Sequence, residues 1–506
     1  MSIIIGRKHE QEELDRLYRS NRPEFLAVYG RRRVGKTFLI KQALKDRIVF
    51  QHTGVSPVDQ EGAKNRMRTQ LESFYYSLLT HGLEGFTTPK TWMEAFYQLE
   101  QLLIKLDDGN RQVVFMDELP WMDTPRSGFL SAFESFWNGW CTGRDNMMLI
   151  IAGSATSWIL GNFGRSKGGL YDRVTSEMKI LPFTLRECEE YFASENIELS
   201  RYDIVQSNMV FGGIPYYLSY FRKGLSFEAN TDKILFGRNP KLKDEFDRLF
   251  SAIFSNPEDC KKVIRLLATR HSGFTREEIS KATKLPLGGG LSDTLKALAE
   301  SDFILRYPPY GESGNVERYK LIDNFCLFWL KYVDPNKADA SFMTDNITSD
   351  IMRSWRGVAF EEVCWQHITQ IKRALEIGGV KSSLSAWSVR GEDGQPMEQK
   401  EQSDACISSA ESLQRKTKSI DGVQIDLLIA RADNVVNLCE MKFANGEYTI
   451  SKEEEGKLRN RIEALKKTLT AKQTVHLTMI TTYGVAYGKH SGIVQKQVVM
   501  DDLFAV

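Results

Sequence analysis

The sequence predicts an α/β protein built on a parallel β-sheet, and three observations support this fold class. Over residues 1 to about 185, short apolar runs alternate with amphipathic stretches, as strands joined by covering helices do. Four of the runs are rich in β-branched or aromatic residues and end in polar residues. The composition, 42% hydrophobic and 26% charged over 506 residues, is that of a globular chain with about three domains. The predicted strands are FLAVYG, RIVFQHT, RQVVFMD, MMLIIAGS and EMKILPF.

Charge and cysteine content exclude several classes of protein. The 67 Lys and Arg nearly cancel the 66 Asp and Glu, so binding to nucleic acid would have to come from local patches. No apolar run approaches the roughly eighteen residues of a membrane span, and the N-terminus does not resemble a secretory signal. The seven cysteines are odd in number and scattered, which argues against a disulfide framework. We therefore expect a cytoplasmic protein with no membrane partner.

Two segments of different character follow the predicted sheet. Residues 186–255 are predicted to be a helical lid with one break, at FGGIPYYL. Residues 256–340 predict three helices, the second starting at a capping box of Thr275 and Glu278, and then two strands around a Pro/Gly turn. Three helices followed by a hairpin are typical of a winged-helix domain.

The last third of the chain, residues 341–506, is predicted to be a separate α/β domain. It begins with a long helix, from Ser354 to Leu375, and continues with strands and further helices. Residues 390–420 contain few large apolar side chains and cannot bury enough surface to offset the entropy of ordering. We therefore expect a mobile insertion there.

A phosphate-binding loop is the strongest motif. GRRRVGKT, from Gly30 to Thr37, fits G-x-x-x-x-G-K-[ST] at every fixed position, after an apolar strand and before a helical pattern. The two glycines allow close approach of phosphate, Lys36 is expected to bridge the β- and γ-phosphates, and Thr37 to ligate Mg²⁺. Residues 1–185 are thus predicted to be a P-loop ATPase core. The residues expected to bind ATP are Gly30, Arg33, Val34, Gly35, Lys36, Thr37, Phe38 and Ser154.

Acidic residues after the third predicted strand complete this site. Asp117 is expected to hold Mg²⁺ opposite Thr37, and Glu118 to orient or deprotonate the attacking water. Ser154, at the end of the next strand, is expected either to face the γ-phosphate or to cap the strand end. Arg173 is a candidate for stabilising transition-state charge, in cis or from another copy in a homo-oligomer; the alternative is a surface arginine.

The triplet from Arg31 to Arg33 makes the loop unusually cationic. These side chains are predicted either to meet phosphate or an acidic partner, or to be solvated.

Several motifs together resemble the archaeal and bacterial ATPases related to the AAA+ and STAND groups. The resemblance rests on IIGRKHEQEELDRL, GRRRVGKT, VVFMDELPW, LYDR and FGGIPYYL and spans roughly residues 1–335. It implies that the segment containing Ile5, Gly6 and Arg7 lies near the adenine. By the same analogy, Pro215 belongs to a Gly-x-Pro element that senses nucleotide from the lid.

The predicted winged helix is modestly basic. Residues 261–320 contain 11 Lys or Arg and 7 Asp or Glu, a net charge of +4. Lys281, Lys284 and Lys296 fall on or near the second and third helices, where they could face a DNA groove. The alternative is a switch element that packs on the nucleotide domain.

A second cluster of charged residues is predicted in GVQIDLLIARADNVVNLCEMKF. Asp426 lies in one apolar strand, and Glu440 and Lys442 share a face of the next because they are two residues apart. A turn centred on Asp433 would place the two carboxylates opposite each other. Such like charges repel unless a divalent cation lies between them or one carboxyl is protonated. All-oxygen ligands suit Mg²⁺ or Mn²⁺, and Lys442 would then act on a metal-bound water or a scissile phosphate.

This pattern resembles the PD-(D/E)xK nuclease superfamily, over about residues 350–485. The resemblance implies a restriction-endonuclease-like fold and a further metal ligand from the preceding helix, Glu361 ahead of Glu362. Ile425 stands where the superfamily motif has proline. The alternatives are a structural hairpin with salt-bridged acids or an inactive nuclease-like domain. The charged helix that follows is expected to be solvated and to cover the sheet, although Lys457 and Arg461 could reach phosphate.

Taken together, these patterns predict an ATP-hydrolysing switch that controls a metal-dependent DNA nuclease. Two hypotheses compete with it: a regulatory ATPase that binds DNA or protein through its winged helix, and a nucleotide-gated scaffold that does not bind nucleic acid.

Overall fold

The computed structural model describes residues 3–56, 66–164, 173–310, 316–335, 339–389 and 423–505. The predicted insertion, residues 390–420, lies outside the described residues, and so does most of the LYDR segment. The chain forms two compact units. The first comprises residues 1–269, 279–305 and 321–347, and the second comprises residues 270–278, 306–320 and 348–506.

The first unit contains the predicted parallel sheet, and all five predicted strands are present. The sheet order is β2-β3-β4-β1-β5, and every pairing is parallel. Tyr29, at the end of β1, lies opposite Gly153 of β4 and Lys179 of β5, so the segment after β1 starts between two neighbouring strand ends. The strands are β1 Glu24–Tyr29, β2 Ile48–Thr53, β3 Gln112–Asp117, β4 Met147–Gly153 and β5 Ser176–Lys179.

Helices flank this sheet and bury an aromatic core. Phe25 of β1 packs against Trp137, with ring centroids 4.9 Å apart, and Phe96 stacks on Phe136 at 5.2 Å. Full burial of such rings is the main favourable contribution to folding of this layer. The helices are α1 Lys8–Tyr18, α2 Lys36–Ala43, α3 Arg66–Thr80, α4 Trp92–Lys105, α5 Phe129–Ser135 and α6 Thr156–Asn162.

The predicted lid is helical but more interrupted than expected. Gly212 and Gly213 both have positive φ and break the chain at the predicted position. A Cβ on Gly213 would lie 2.3 Å from the carbonyl oxygen of Phe183, so this close approach requires glycine. The lid helices are α7 Leu185–Ser194, α8 Arg201–Phe211, α9 Pro215–Leu218, α10 Phe227–Thr231 and α11 Glu245–Ile253.

The three helices and two strands predicted for the winged-helix segment are present, with a short additional strand. The predicted capping box forms: Glu278 Oε2 accepts from the Thr275 amide at 2.7 Å, and Thr275 Oγ1 accepts from the Glu278 amide at 3.3 Å. The three strands have the order β6-β8-β7. The elements are α12 Pro257–Leu267, β6 Phe274–Thr275, α13 Arg276–Thr283, α14 Gly289–Glu300, β7 Ile304–Tyr307 and β8 Arg318–Leu321, followed by α15 Asn324–Phe328 and α16 Phe342–Asp345.

The C-terminal part contains a second five-stranded sheet, of order β13-β12-β11-β10-β9. The single long helix predicted from Ser354 to Leu375 is wrong, because two helices meet at His367. His367 has φ −109° and ψ 29°, outside the helical region, and its ring bonds the carbonyl oxygen of Val363 at 2.8 Å. The elements are α17 Asp350–Gln366, α18 Ile368–Ala374, β9 Ser382–Val389, β10 Val423–Arg431, β11 Val435–Lys442, α19 Lys452–Lys466, β12 Thr474–Thr481 and β13 Lys496–Val499.

No helix in the described ranges is long and apolar enough to cross a membrane.

Candidate nucleotide site and C-terminal acidic cluster

The phosphate-binding loop joins the end of β1 to the start of α2. Gly30 has φ 139° and Gly35 has φ 95°, values that favour glycine. A Cβ on Gly30 would lie 2.2 Å from the carbonyl oxygen of Ile180, so any larger residue would force the loop away from the strand end. Helix α2 begins at Lys36, which leaves the first amides of the helix free to point at an anion.

Lys36 and Thr37 make polar contacts that tie the loop to two other strand ends. Lys36 Nζ donates to the carbonyl oxygens of Gly30 and Arg31 at 2.9 and 3.0 Å, and to Ser154 Oγ at 3.0 Å. Thr37 Oγ1 donates to Asp117 Oδ2 at 2.6 Å. Burial lowers the pKa of Lys36, and the charges of Glu118 and Asp117 partly oppose this shift.

Glu118 and Ser154 form a bidentate pair beside the lysine. Glu118 Oε1 accepts from Ser154 Oγ at 2.7 Å, and Glu118 Oε2 accepts from the Ser154 amide at 3.0 Å. Burial raises the pKa of Asp117, although the hydrogen bond from Thr37 opposes this shift. Residues that are far apart in sequence therefore meet at one end of the sheet, and their predicted roles toward nucleotide and Mg²⁺ stay predictions.

A cleft of about 590 Å³ opens over this cluster. The predicted adenine-side residues Ile5 and Arg7, the predicted nucleotide contacts Val34 and Phe38, and Pro215 of the lid all border it. Its apolar end suits a purine ring, and the loop end suits phosphates. Other residues on its wall are Ile3, Ile4, Phe183, Tyr191 and Tyr216.

Three non-glycine residues with positive φ border the same cleft. They are Arg7 (φ 55°), Arg33 (φ 72°) and Glu118 (φ 46°). Such conformations cost of order 1–3 kcal/mol each and tend to cluster at functional sites. Their concentration here supports the cleft as the principal site of the first unit.

The loop arginines contact the lid and the segment before α15. Arg31, almost fully buried, forms an ion pair with buried Asp323 and lies over the Phe303 ring at 4.9 Å. Arg33 forms an ion pair with buried Glu245 and lies 4.2 Å from the centre of the Tyr216 ring. Both side chains therefore meet acidic groups of the same chain, and the predicted contact of Arg33 with nucleotide stays a prediction.

Arg32 also contacts the lid, but its side chain donates to a backbone carbonyl, that of Arg248, at 3.2 Å. Sequence reasoning missed Glu245 and Asp323. A carboxylate on the apolar stripe of α11 was a usable signal for Glu245, whereas Asp323 precedes an apolar helix and looked like an ordinary N-cap.

Arg173 is not brought to the cleft. It is exposed, it precedes β5, and it is not among the residues that border the cleft. Its predicted catalytic role stays a prediction.

In the second unit, the hairpin has the predicted register. Strands β10 and β11 are antiparallel, with Leu427 opposite Cys439 and Ala430 opposite Val436, which centres the turn on Asp433. Continuing this register by one residue places Asp426 opposite Glu440. On its other side, β10 has a bulge between Ile425 and Leu428 against β9.

Basic side chains neutralise Glu440. Lys442 Nζ lies 2.9 Å from Glu440 Oε1, and Arg461 of α19 forms an ion pair with Oε2. Burial acts to raise the pKa of Glu440, but Lys442 and Arg461 outweigh it and lower the pKa. Arg461 is thus engaged by a protein carboxylate, in contrast to the expected solvated helix face.

Two further acids, Glu361 and Glu362 of α17, lie near Asp426. Glu361 of α17 and Asp426 border one small cavity of the second unit, and burial followed by the charge of Asp426 raises the pKa of Glu361 well above its ordinary value. Glu362 is buried and paired with Lys320 at 2.8 Å. Within the described residues, no group of three or more His, Cys, Asp or Glu side chains is placed to hold a metal ion. The ligand set of Glu361, Asp426 and Glu440 stays a prediction.

The predicted DNA-facing lysines of the winged-helix segment are exposed. Lys296 lies 3.7 Å from Glu300, one turn along α14. Lys281 and Lys284 lie on and just after α13. A role in DNA binding is not tested by this placement.

Comparison with known proteins supports the nucleotide site. Residues 5–221 match the family described as an ATPase domain predominantly from Archaea. Over 399 residues, the chain is 28% identical to an uncharacterized protein of Methanocaldococcus jannaschii, covering 77% of this chain and 83% of that protein.

Among solved structures, the Walker-type ATPase of Pyrococcus abyssi has a TM-score of 0.43 and 18% identity, covering 65% of this chain and 96% of that one. The ORC2 protein of Aeropyrum pernix has a TM-score of 0.40 and 14% identity, covering 68% and 95%. The motif geometry and the family match agree: the N-terminal part of the chain, residues 5–221, matches an ATPase domain and contains the phosphate-binding loop of that fold.

Proposed function

We propose that this protein is an ATP-hydrolysing switch of the kind found among AAA+ and STAND-related ATPases. The observation that carries the proposal is the meeting of Lys36, Thr37, Glu118 and Ser154 on the wall of one cleft, with Asp117 hydrogen-bonded to Thr37. Lys36 supplies positive charge to the β- and γ-phosphates. Glu118 accepts the proton of the attacking water, and Ser154 orients the Glu118 carboxylate.

Mg²⁺ fits the donor set of this site. The Thr37 hydroxyl and the Asp117 carboxylate, which are hydrogen-bonded to each other at 2.6 Å, supply hard oxygen ligands of the kind that this cation prefers. Bound there, it would neutralise charge on the phosphates.

The loop arginines provide the switch. Arg31 and Arg33 lie one and three residues after Gly30 in the phosphate loop. Arg31 forms an ion pair with buried Asp323, and Arg33 with buried Glu245. A change in loop conformation on hydrolysis therefore alters two buried ion pairs. In this way nucleotide state is transmitted to the lid and to the segment after the winged helix.

Replacing Glu118 by glutamine tests the catalytic assignment. We expect ATP turnover to fall by about 10²- to 10⁴-fold because the general base is lost, while binding of ATP is retained. Single-turnover hydrolysis and calorimetric titration with a non-hydrolysable ATP analogue measure the two effects separately. The control Asp145→Asn, an exposed acid beyond the cleft, should leave both unchanged. Normal turnover in Glu118→Gln would remove Glu118 from the mechanism.

We propose as a second candidate function that the C-terminal domain is a metal-dependent DNA nuclease controlled by this switch. The observation in its favour is the hairpin register, which brings Asp426 opposite Glu440 with Lys442 on the same face and Glu361 nearby. The alternative is an inactive domain whose acids are held by ion pairs. It is favoured by the two basic side chains beside Glu440, Lys442 and Arg461, and by the raised pKa of Glu361. In that case the winged helix would contact DNA or protein in a regulatory role, with or without association of several copies.

A cleavage assay separates these alternatives. Incubated with plasmid DNA, ATP and Mg²⁺ or Mn²⁺, the wild type should cut and Glu440→Ala should not, whereas the control Glu463→Ala, an exposed acid of α19, should behave as wild type. Metal binding requires ionised carboxylates. Since the pKa of Glu361 is raised, cleavage should increase as the pH rises. If the wild type does not cleave DNA at any pH tested, the nuclease proposal is wrong and the regulatory function remains.

A further inference from the structure

The lid carries two adjacent basic clefts in addition to the nucleotide cleft. One, of about 350 Å³, is bordered by Lys243 and Arg248, and the other, of about 380 Å³, by Arg222 and Lys233. Arg238, Asn239 and Lys241 border both clefts. The segment between α10 and α11 therefore presents cations to both clefts. We call these two clefts the basic face of the lid.

The cations of this face are exposed and largely unneutralised. Within the described part of the chain, ion pairs are found for Arg248, with Asp244 at 3.8 Å, but not for the other five. Glu245, the other acid on the wall, is buried and paired with Arg33. The five cations without an acidic partner are Arg222, Lys233, Arg238, Lys241 and Lys243.

Elsewhere in the first unit, basic side chains commonly have acidic neighbours, including Lys296 with Glu300 and Lys261 with Asp247. The near absence of such neighbours on the basic face concentrates positive potential in a protein whose net charge is only +1. Flexible lysines and arginines lining two connected clefts match a run of phosphates. The number of these cations is larger than a single small anion requires.

We propose that the basic face of the lid binds the phosphodiester backbone of a nucleic acid, without sequence preference. Lysine and arginine contacts to phosphate position a strand but carry no base information. The binding is distinct from the nucleotide site and from the C-terminal acids. The basic face also adjoins the nucleotide cleft, because Arg33 and Tyr216 border both.

The test compares two triple variants of the full-length chain. R238A/K241A/K243A removes cations of the basic face, and K281A/K284A/K296A removes three exposed lysines of the winged-helix segment. Binding of a fluorescent 30-base-pair duplex and of a single strand of the same length is measured by anisotropy between 50 and 200 mM salt, without ATP. Omitting ATP makes the result independent of hydrolysis.

We expect at least ~10-fold weaker binding for the first variant, and a plot of log affinity against log salt that is less steep by about three units for duplex, since each phosphate contact contributes about 0.9. The matched control should keep most of the affinity. Equal unfolding temperatures confirm intact folding. The proposal is overturned if the wild type binds neither strand form, if only the winged-helix variant loses binding, or if micromolar tripolyphosphate displaces the duplex, which would indicate a small-anion site.

Discussion

Replacing Lys36 by alanine is expected to abolish ATP hydrolysis, lowering turnover by 10²-fold or more. The ammonium group is buried at the mouth of the cleft, where water screens charge poorly, and it is the only lysine on the wall of that cleft among the described residues. ATP affinity should fall as well, because an interaction with the β- and γ-phosphates is made in the ground state too. Steady-state hydrolysis and nucleotide titration calorimetry measure the two losses.

The matched control is Lys41→Ala, an exposed lysine of the same helix α2. It removes the same charge and the same side-chain length without touching the cleft, so turnover should stay at the wild-type level. If Lys36→Ala hydrolyses ATP at the normal rate, the activity arises at another site and the assignment of the cleft is wrong.

Replacing Asp323 by asparagine is expected to destabilise the first unit by about 3–5 kcal/mol. Asp323 caps α15 by accepting from the Cys326 amide at 2.7 Å and also neutralises Arg31. Asparagine is an equally good N-cap, so the cap is retained while the charge is lost. Arg31 is then left as an uncompensated buried cation. Urea denaturation followed by fluorescence measures the decrease in the free energy of unfolding.

Two further variants locate the cause of this loss. Asp334→Asn breaks the partly exposed pair with Arg265 and should cost no more than about 1 kcal/mol. Adding Arg31→Met to Asp323→Asn removes the uncompensated cation and should recover much of the stability. A loss in Asp323→Asn no larger than that in Asp334→Asn would contradict the importance of the buried pair.

The sequence was sufficient for the features that are set locally. Strand β1, the loop and α2 are consecutive, so Gly30, Lys36 and Thr37 could be placed from the motif. The register of the β10–β11 hairpin follows from the position of its turn, and for this reason the opposition of Asp426 and Glu440 was predictable. The capping box at Thr275 is likewise a contact between residues three apart.

Long-range pairings were not predictable. Arg31 and Asp323, or Glu440 and Arg461, are joined only after several elements have packed, and no periodicity in one segment reports the charge on another. The helix after Ser354 was predicted, but its break at His367 was not, because the apolar pattern continues through the break. The basic face of the lid was not predicted because acids flank most of its cations in sequence, Asp232 before them and Asp244 and Glu245 after, and only the fold turns Glu245 inward.

The buried pair of Arg31 and Asp323 also bears on where this chain can be truncated. The match to the ATPase family ends at residue 221, yet the guanidinium of Arg31 in the phosphate loop is neutralised by Asp323, about a hundred residues beyond that boundary. The first unit accordingly reaches to residue 347. A fragment designed from the family boundary alone would lack the counter-ion that its own nucleotide loop requires.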